Sequence, residues 1–261
     1  MVGVTDGAPT SLVDALALAW QEGRPLSAEM ARRLAPAGPD AAYATQSALG
    51  KRLGWWPAGR PHGWKLAMGQ PPKAAPIPDG LYQPSPGQMH NRVSVAGIEV
   101  ELAVRLSRPL SAGASRQEAE AAVGETLAVI EGFDVRAEHW HELPPSFLLA
   151  DLQMHAGLVI GSGVSGWAGE THLSLEVTGL ALGSEGWQHP LGDPLALLPW
   201  LADHAAGRGW TLQAGDLVAT GSWCGMLEVP PGGRVRARFE GVGEVTLTYP
   251  ASSAQEACHE L

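Results

Sequence analysis

The chain has 261 residues, of which 45% are hydrophobic and 17% are charged, as in an ordinary globular protein. Its 17 basic and 27 acidic side chains give a formal net charge of −10, which argues against the basic surface that nucleic-acid binding requires. The two cysteines form no metal-binding spacing, and no stretch reaches the roughly 18 apolar residues of a membrane span. We therefore expect a soluble, cytoplasmic protein without nucleic-acid or membrane partners.

The first quarter of the chain carries helix signals. Ser11 is placed to cap a helix that Gly23 ends, and Asp40 is placed to cap a second helix that Gly54 ends. Proline and glycine are dense from 57 to 88, which predicts irregular structure there.

The remaining chain is rich in strand signals. A helix is predicted at 115–127, and another is expected to begin at Asp193-Pro194 and to kink at Pro199. Helices followed by strands with loops between them indicate an α+β fold with a rolled sheet. Apolar runs predict strands at 95–106, 127–133, 158–160, 171–182, 218–220, 235–239 and 245–249.

The segment Ile98–Leu106 carries the clearest chemical signal. Its even positions are apolar, whereas Glu99 and Glu101 lie on the opposite face of the predicted strand, about 6.6 Å apart along it. Carboxylate oxygens are the ligands that hard divalent metals prefer, so the pair indicates a metal site. A solvated outer strand face explains the same pattern, and this strand alone does not decide between the two.

Glu131 interrupts the otherwise apolar run Leu127–Phe133. A buried carboxylate is costly unless it is paired or bound to a metal, and a buried salt bridge or a strand end is the alternative explanation. Together with the two earlier glutamates, it would satisfy Mg²⁺ or Mn²⁺ while leaving positions for water and substrate.

Lys65 lies among bulky apolar neighbours in the segment 63–69. Desolvation there is expected to lower its pKa toward useful acid–base values, although a lysine whose stem merely covers apolar surface is the alternative. Thr220-Gly221-Ser222, after a predicted strand, indicates a tight turn that either binds a carboxylate or is a plain turn.

Several short motifs follow one another in an order and spacing that resemble one group of enzymes. The motifs are Ala42–Gln46, Gly63–Lys65, Ile98–Leu102, Val129–Glu131, Leu149–Asp151, Gly192–Leu195, Trp200–Ala202 and Thr220–Ser222. With them the chain resembles the 2-oxopent-4-enoate hydratase and 2-oxo-3-hexenedioate decarboxylase group of the fumarylacetoacetate hydrolase superfamily. It departs from that group near Gly69-Gln70, where Thr or Ser is usual, and at Leu152-Gln153, where Asn-Ala is usual.

The resemblance implies a distorted, rolled β-barrel of the fumarylacetoacetate hydrolase C-terminal-domain type. An N-terminal helical segment at 1–56 would precede a catalytic domain at 57–261. The resemblance also implies a Mg²⁺ or Mn²⁺ site at Glu99, Glu101 and Glu131, and assembly as a homo-oligomer.

The resemblance further implies a lyase acting on a small 2-oxo or 2-hydroxydienoic acid. A hydratase of the 2-hydroxypenta-2,4-dienoate to 4-hydroxy-2-oxopentanoate type is the main expectation. The alternatives are a decarboxylase of the 2-oxo-3-hexenedioate type, an acylpyruvate C–C hydrolase and a non-catalytic 2-oxo-acid-binding relative. Lys65 and Asp79 are the catalytic candidates, and Asp151, Thr220 and Gly221 are the substrate-binding candidates.

Overall fold

The computed structural model describes residues 9–89, 93–182 and 186–251. The two predicted domains, 1–56 and 57–261, therefore each include residues outside the described ranges. None of the described helices is long and apolar enough to cross a membrane. Six α-helices lie within these ranges: α1 (Leu12–Glu22), α2 (Ala28–Leu34), α3 (Pro39–Leu53), α4 (Arg116–Ala121), α5 (Pro145–Ala150) and α6 (Leu198–Ala206). The described strands are β1 (Gly63–Ala67), β2 (Lys73–Pro76), β3 (Tyr82–Pro84), β4 (Gly87–Gln88), β5 (Gly97–Leu106), β6 (Val123–Phe133), β7 (His155–Ser165), β8 (Leu173–Val177), β9 (Leu217–Ala219), β10 (Leu227–Glu228), β11 (Arg234–Phe239) and β12 (Gly243–Thr248).

The N-terminal helices begin and end at local capping signals. Ser11 caps α1 and Gly23 ends it in the left-handed region at φ 65°, as predicted. The second predicted helix is α3, which ends where expected but begins earlier, since Gly38 is its N-cap and Asp40 lies inside its first turn. Between them α2, capped by the Ser27 hydroxyl, is an element that the sequence prediction lacks.

One hydrophobic cluster joins these helices to the rest of the chain. Leu16 of α1 and Leu49 of α3 pack in the same cluster as Phe133 and Phe147. Because residues on both sides of position 56 build this core, the division into 1–56 and 57–261 stays a prediction about sequence segments.

Two sheets form the larger part of the molecule. An eight-stranded sheet has the order β2-β1-β9-β5-β6-β7-β3, with β10 on β5, and a four-stranded sheet has the order β4-β12-β11-β8. The even-numbered apolar face of β5, with Ile98, Val100 and Leu102, packs in one cluster with Val235 and Val245 of the second sheet. The odd-numbered face therefore points away from that interface. The α+β fold class predicted from the sequence is confirmed.

The proline-rich segment from 57 to 88 is not irregular as predicted, because it contains β1 to β4. Strand β1 is held by long-range pairing that local composition does not reveal: it runs antiparallel to β2 and parallel to β9. Pro76 and Pro84 are each the last residue of their strand, where a missing N–H is tolerated.

Two helix boundaries also differ from the prediction. The predicted helix at 115–127 is the short α4, because the chain enters β6 already at Val123. The predicted kink at Pro199 does not occur, since α6 begins at Leu198 and the proline sits in its first turn. A proline there gives up no helical hydrogen bond.

A left-handed turn connects α5 to β7. Leu152, Gln153 and Met154 have φ values of 49°, 55° and 65°, which are unfavourable for residues with side chains. The turn is held by Arg136, whose guanidinium donates to the carbonyl oxygen of Asp151 at 3.0 Å and to that of His155 at 2.8 Å. Both oxygens of the Asp151 carboxylate also accept from Arg136, at 2.7 and 2.9 Å. The strained backbone is therefore fastened at each end by one buried cation.

We expect Arg136→Met to destabilise the protein by about 3–5 kcal/mol, because it leaves a buried carboxylate unpaired. Burial raises the pKa of Asp151 to about 6, above its ordinary value of 3.8, although Arg136 opposes the rise. A raised folded-state pKa means that ionisation favours the unfolded chain, and losing Arg136 enlarges this effect. The loss measured by urea unfolding should therefore be larger at pH 8 than at pH 5.

The matched control is Arg105→Met, which breaks the half-exposed ion pair between Arg105 of β5 and Glu125 of β6. Such surface pairs contribute about 1 kcal/mol or less, with little difference between the two pH values. Equal, small losses in both variants would contradict a fastening role for Arg136.

Candidate metal centre and cavity

Three glutamates from two neighbouring strands converge on one point. Glu99 of β5 and Glu131 of β6 are direct cross-strand partners, and Glu101 lies two residues along the same face of β5. One oxygen from each of these side chains lies within 4.8 Å of the others. Glu101 and Glu131 are buried, and only 16% of the Glu99 side chain is exposed. The alternative of a solvated strand face is therefore wrong. We call these three residues the carboxylate cluster.

Lys65 of β1 stands beside the carboxylate cluster. Its side chain is 2% exposed and its Nζ forms ion pairs with Glu131 and, at 3.3 Å, with Glu99. The same ammonium donates to the carbonyl oxygen of Gln153 at 3.0 Å. Lys65 is thus a buried ion-pairing residue, and the alternative of a stem lying on the surface is wrong.

The expected lowering of the Lys65 pKa is also wrong. Burial acts to lower this pKa, but the nearby charges of Glu131 and Glu99 outweigh burial and raise it. The residues next to Lys65 in the sequence do not reveal this outcome, since both carboxylates come from strands distant along the chain.

The carboxylate cluster carries more negative charge than Lys65 compensates. Burial and the neighbouring glutamates raise the pKa of Glu101 well above its usual range, and burial also raises the pKa of Glu99. For Glu131, burial raises the pKa, but the charge of Lys65 and the hydrogen bond with His155 outweigh burial and lower it. The Oε2 atom of Glu131 is buried without a hydrogen-bond partner. Closely spaced carboxylates with a free buried oxygen are the donor set that a hard divalent cation satisfies, so these residues fit such an ion.

His155 is a member of the site that was not among the candidates predicted from the sequence. It is fully buried at the start of β7, and its Nδ1 shares a 3.0 Å hydrogen bond with Oε1 of Glu131. Burial lowers the pKa of His155, so its neutral form is favoured. A histidine fixed behind a carboxylate orients that ligand, as outer partners do in metal sites.

The predicted turn at Thr220-Gly221 contributes through its backbone. The N–H of Gly221 donates to Oε2 of Glu101 at 2.7 Å, and φ at this glycine is 114°, a value that favours glycine. The Thr220 hydroxyl is buried and donates to the carbonyl oxygen of Leu102 at 2.8 Å. Gly221 lines the cavity described below, whereas Thr220 is not among the residues that line it.

Two other predicted site residues are not brought to the carboxylate cluster. Asp79 pairs with His62 at 2.8 Å, just before β1 begins. The start of β1 lies beside Leu217 of β9, and Leu217 pairs in turn with Arg105, at the opposite end of β5 from Glu99. The predicted catalytic role of Asp79 therefore lacks support from its position. Asp151, predicted to bind substrate, is instead occupied by Arg136 beneath the left-handed turn.

A cavity of about 510 Å³ opens directly above Lys65 and Glu99. The backbone turns at Gly221 and at Gln153 form parts of its wall. Its volume is typical of sites for small organic molecules. A cation held by the carboxylate cluster would therefore lie beside a cavity large enough for a small organic molecule.

Comparison with known proteins shows the family to which the chain belongs. The family model for the fumarylacetoacetate (FAA) hydrolase C-terminal region matches residues 68–248, which include the whole carboxylate cluster. The chain belongs to the fumarylacetoacetate hydrolase family.

Within this family, the similar curated proteins are named as hydratases. The chain is 30% identical to 2-keto-4-pentenoate hydratase 2 of Dechloromonas aromatica in an alignment of 268 positions, which covers 93% of this chain and 97% of that protein. It is 29% identical over 194 residues to 2-keto-4-pentenoate hydratase of Paraburkholderia phymatum, covering 71% and 72% of the two chains.

A solved structure shares the overall fold. The 4-oxalocrotonate decarboxylase of Pseudomonas putida G7, complexed with magnesium and adipate, has a TM-score of 0.74 and 20% identity, covering 93% of this chain and 100% of that one. At this identity the likeness concerns the fold, and it agrees with the rolled sheet predicted for the family.

We expect Glu101→Gln to weaken Mn²⁺ binding by roughly ten-fold or more, because loss of even an outer partner of a metal ligand typically costs about 10–100-fold. Isothermal titration calorimetry measures the affinity, and circular dichroism checks the fold. Glu125→Gln is the control, because it removes a half-exposed carboxylate from the same sheet. Undiminished Mn²⁺ affinity in Glu101→Gln would remove Glu101 from the metal site.

Proposed function

We propose that this chain is a divalent-metal-dependent lyase that hydrates a 2-hydroxydienoic acid, of the 2-hydroxypenta-2,4-dienoate to 4-hydroxy-2-oxopentanoate type. The observation that carries the proposal is the convergence of three carboxylates beside Lys65, next to a cavity that Lys65 and Glu99 line. The hydratase to which the chain is similar along nearly its full length supports the reaction type. Mg²⁺ or Mn²⁺ is the proposed ion, because both prefer carboxylate oxygens.

Glu99, Glu101 and Glu131 would hold the ion. When bound, a divalent cation supplies positive charge that polarises the carboxylate and 2-oxo group of the substrate. Two neighbours keep these glutamates in place: the Gly221 N–H on Glu101 and the His155 ring on Glu131. Preorganised ligands of this kind avoid a reorganisation cost during turnover.

Lys65 is the residue proposed to deliver the proton, because its raised pKa keeps the side chain protonated. Hydration of a dienol requires a proton delivered to carbon and water added across the distal double bond. The Lys65 ammonium faces the cavity from its floor and is fixed by the Gln153 carbonyl oxygen, so its proton is held at a defined atom. The ammonium also complements negative charge that develops on the substrate.

The hydratase proposal predicts turnover of 2-hydroxypenta-2,4-dienoate in Mg²⁺, with loss of the dienol absorbance and formation of 4-hydroxy-2-oxopentanoate. A chelator should abolish the reaction, and added Mg²⁺ should restore it. An acylpyruvate in the same buffer should release little pyruvate. Rapid metal-dependent cleavage of the acylpyruvate, or release of CO₂ from 2-oxo-3-hexenedioate without hydration of the dienoate, would overturn the hydratase assignment.

The role of Lys65 is tested by Lys65→Met, which keeps much of the side-chain volume and removes the charge. Turnover should fall by about two orders of magnitude or more, because general acid–base groups typically contribute about 10²–10⁴-fold. Mn²⁺ binding should be kept or strengthened, because a lysine cation is not a metal ligand and its loss leaves the carboxylate cluster more negative. Near-normal turnover in a folded, metal-loaded variant would remove Lys65 from the chemistry. Lys51→Met, on the exposed surface of α3, is the matched control.

The proposal retains the homo-oligomeric state and the cytoplasmic location expected from the sequence. Sedimentation of the purified protein tests the first, and cell fractionation tests the second.

A further inference from the structure

The upper wall of the cavity is rich in methionine. Met68, Met154 and Met226 all line it, which is half of the chain's six methionines. They come from three distant parts of the sequence, the end of β1, the left-handed turn and the loop before β10. Trp223 and Pro190 continue the same wall. The wall therefore combines these apolar side chains with the neutral polar residues Gln153, Gln188 and Ser222, whereas Lys65 and Glu99 are charged.

Two of these methionines lie at the cavity mouth. Met68 is 37% exposed and Met226 is 46% exposed, although both side chains are large and apolar. An apolar group on a bound molecule would cover them and remove that surface from water, which is favourable. The unbranched thioether side chain also adapts to irregular shapes, so such a wall accepts groups of different length.

The charges around the cavity disfavour a second anionic group. Lys65 and Glu99 are the charged residues among the described lining, and the Lys65 ammonium already binds Glu99, Glu131 and the Gln153 carbonyl oxygen. A carboxylate at the far end of a substrate would meet methionine and neutral residues such as Gln188 and Ser222, with no free cation within this lining. Burying a charge there without a counter-charge is costly.

We propose that the three methionines select a substrate whose far end is an uncharged hydrocarbon group and exclude one that carries a second carboxylate. The inference rests on the function proposed above for the chemistry at the near end, where the 2-oxo acid meets the carboxylate cluster. The cavity volume of about 510 Å³ leaves room for a hydrocarbon substituent beyond a five-carbon acid.

Binding of saturated 2-oxo acids tests this selection without requiring turnover. The probes are 2-oxopentanoate, 2-oxohexanoate, 2-oxoheptanoate and 2-oxohexanedioate, titrated calorimetrically into the full chain in excess Mg²⁺. Affinity should rise along the three monoacids by up to about four-fold per added methylene. The dicarboxylate should bind at least about ten-fold more weakly than 2-oxohexanoate, because its second charge loses water without gaining a partner.

Met226→Arg supplies the missing cation at the mouth. It should strengthen binding of 2-oxohexanedioate by about ten-fold or more and weaken binding of 2-oxoheptanoate, as a charge-assisted hydrogen bond replaces an apolar contact. Met68→Arg is the second variant and should act in the same direction. Leu18→Arg is the matched control, because it adds the same charge at an exposed apolar position on α1, and it should leave all four affinities unchanged.

The outcomes separate this inference from the proposed function. Monoacid selection with the predicted reversal supports the inference even if no dienoate is hydrated, a result that would defeat only the reaction type. Equal affinities of 2-oxohexanoate and 2-oxohexanedioate overturn the inference even if the dienoate is hydrated. A changed oligomeric state in Met226→Arg and Met68→Arg, with unchanged ligand affinities, would also overturn it and assign the methionines to a contact between copies of the chain.

Discussion

The site depends on one interaction, the ion pairing of the Lys65 ammonium with Glu131 and Glu99 inside the sheet. Three carboxylates buried together would repel one another and lose their hydration without such a counter-charge. A single ammonium reduces this repulsion without removing it, which leaves the carboxylate cluster able to attract a divalent cation. The position of β1 between β2 and β9 brings the ammonium to this place, so the sheet order determines the chemistry of the floor.

The carboxylate cluster could be predicted because its signal is local. Alternation along β5 put Glu99 and Glu101 on one face, and a glutamate inside an apolar run marked position 131. The cross-strand pairing of β5 with β6 then brings the two signals together. The early helices were predictable for the same reason, since a cap and a terminal glycine lie within a few residues of the helix they bound.

Features that arise between distant segments could not be predicted. The Lys65 pKa rises because of two carboxylates on other strands, whereas its sequence neighbours suggested the opposite direction. The family resemblance made Asp79 a catalytic candidate, and that role stays a prediction, since Asp79 pairs with His62 at the end of β1 that the register with β9 places away from Glu99. The methionine wall has no periodic pattern at all, because its three members come from separate loops.

The long separations within the site also bear on how the protein folds. The hydrogen bond from Gly221 to Glu101 joins residues 120 positions apart, and that from Lys65 to Gln153 joins residues 88 apart. Contacts of this kind form slowly, because the loop-closure entropy is lost before they contribute any stability. The carboxylates therefore acquire their full set of neighbours only when the chain is nearly complete. A nascent chain that ends after β6 would carry the three glutamates without β9, the Gln153 turn or the Gly221 amide. The proposed metal ion would therefore bind only after the chain has folded.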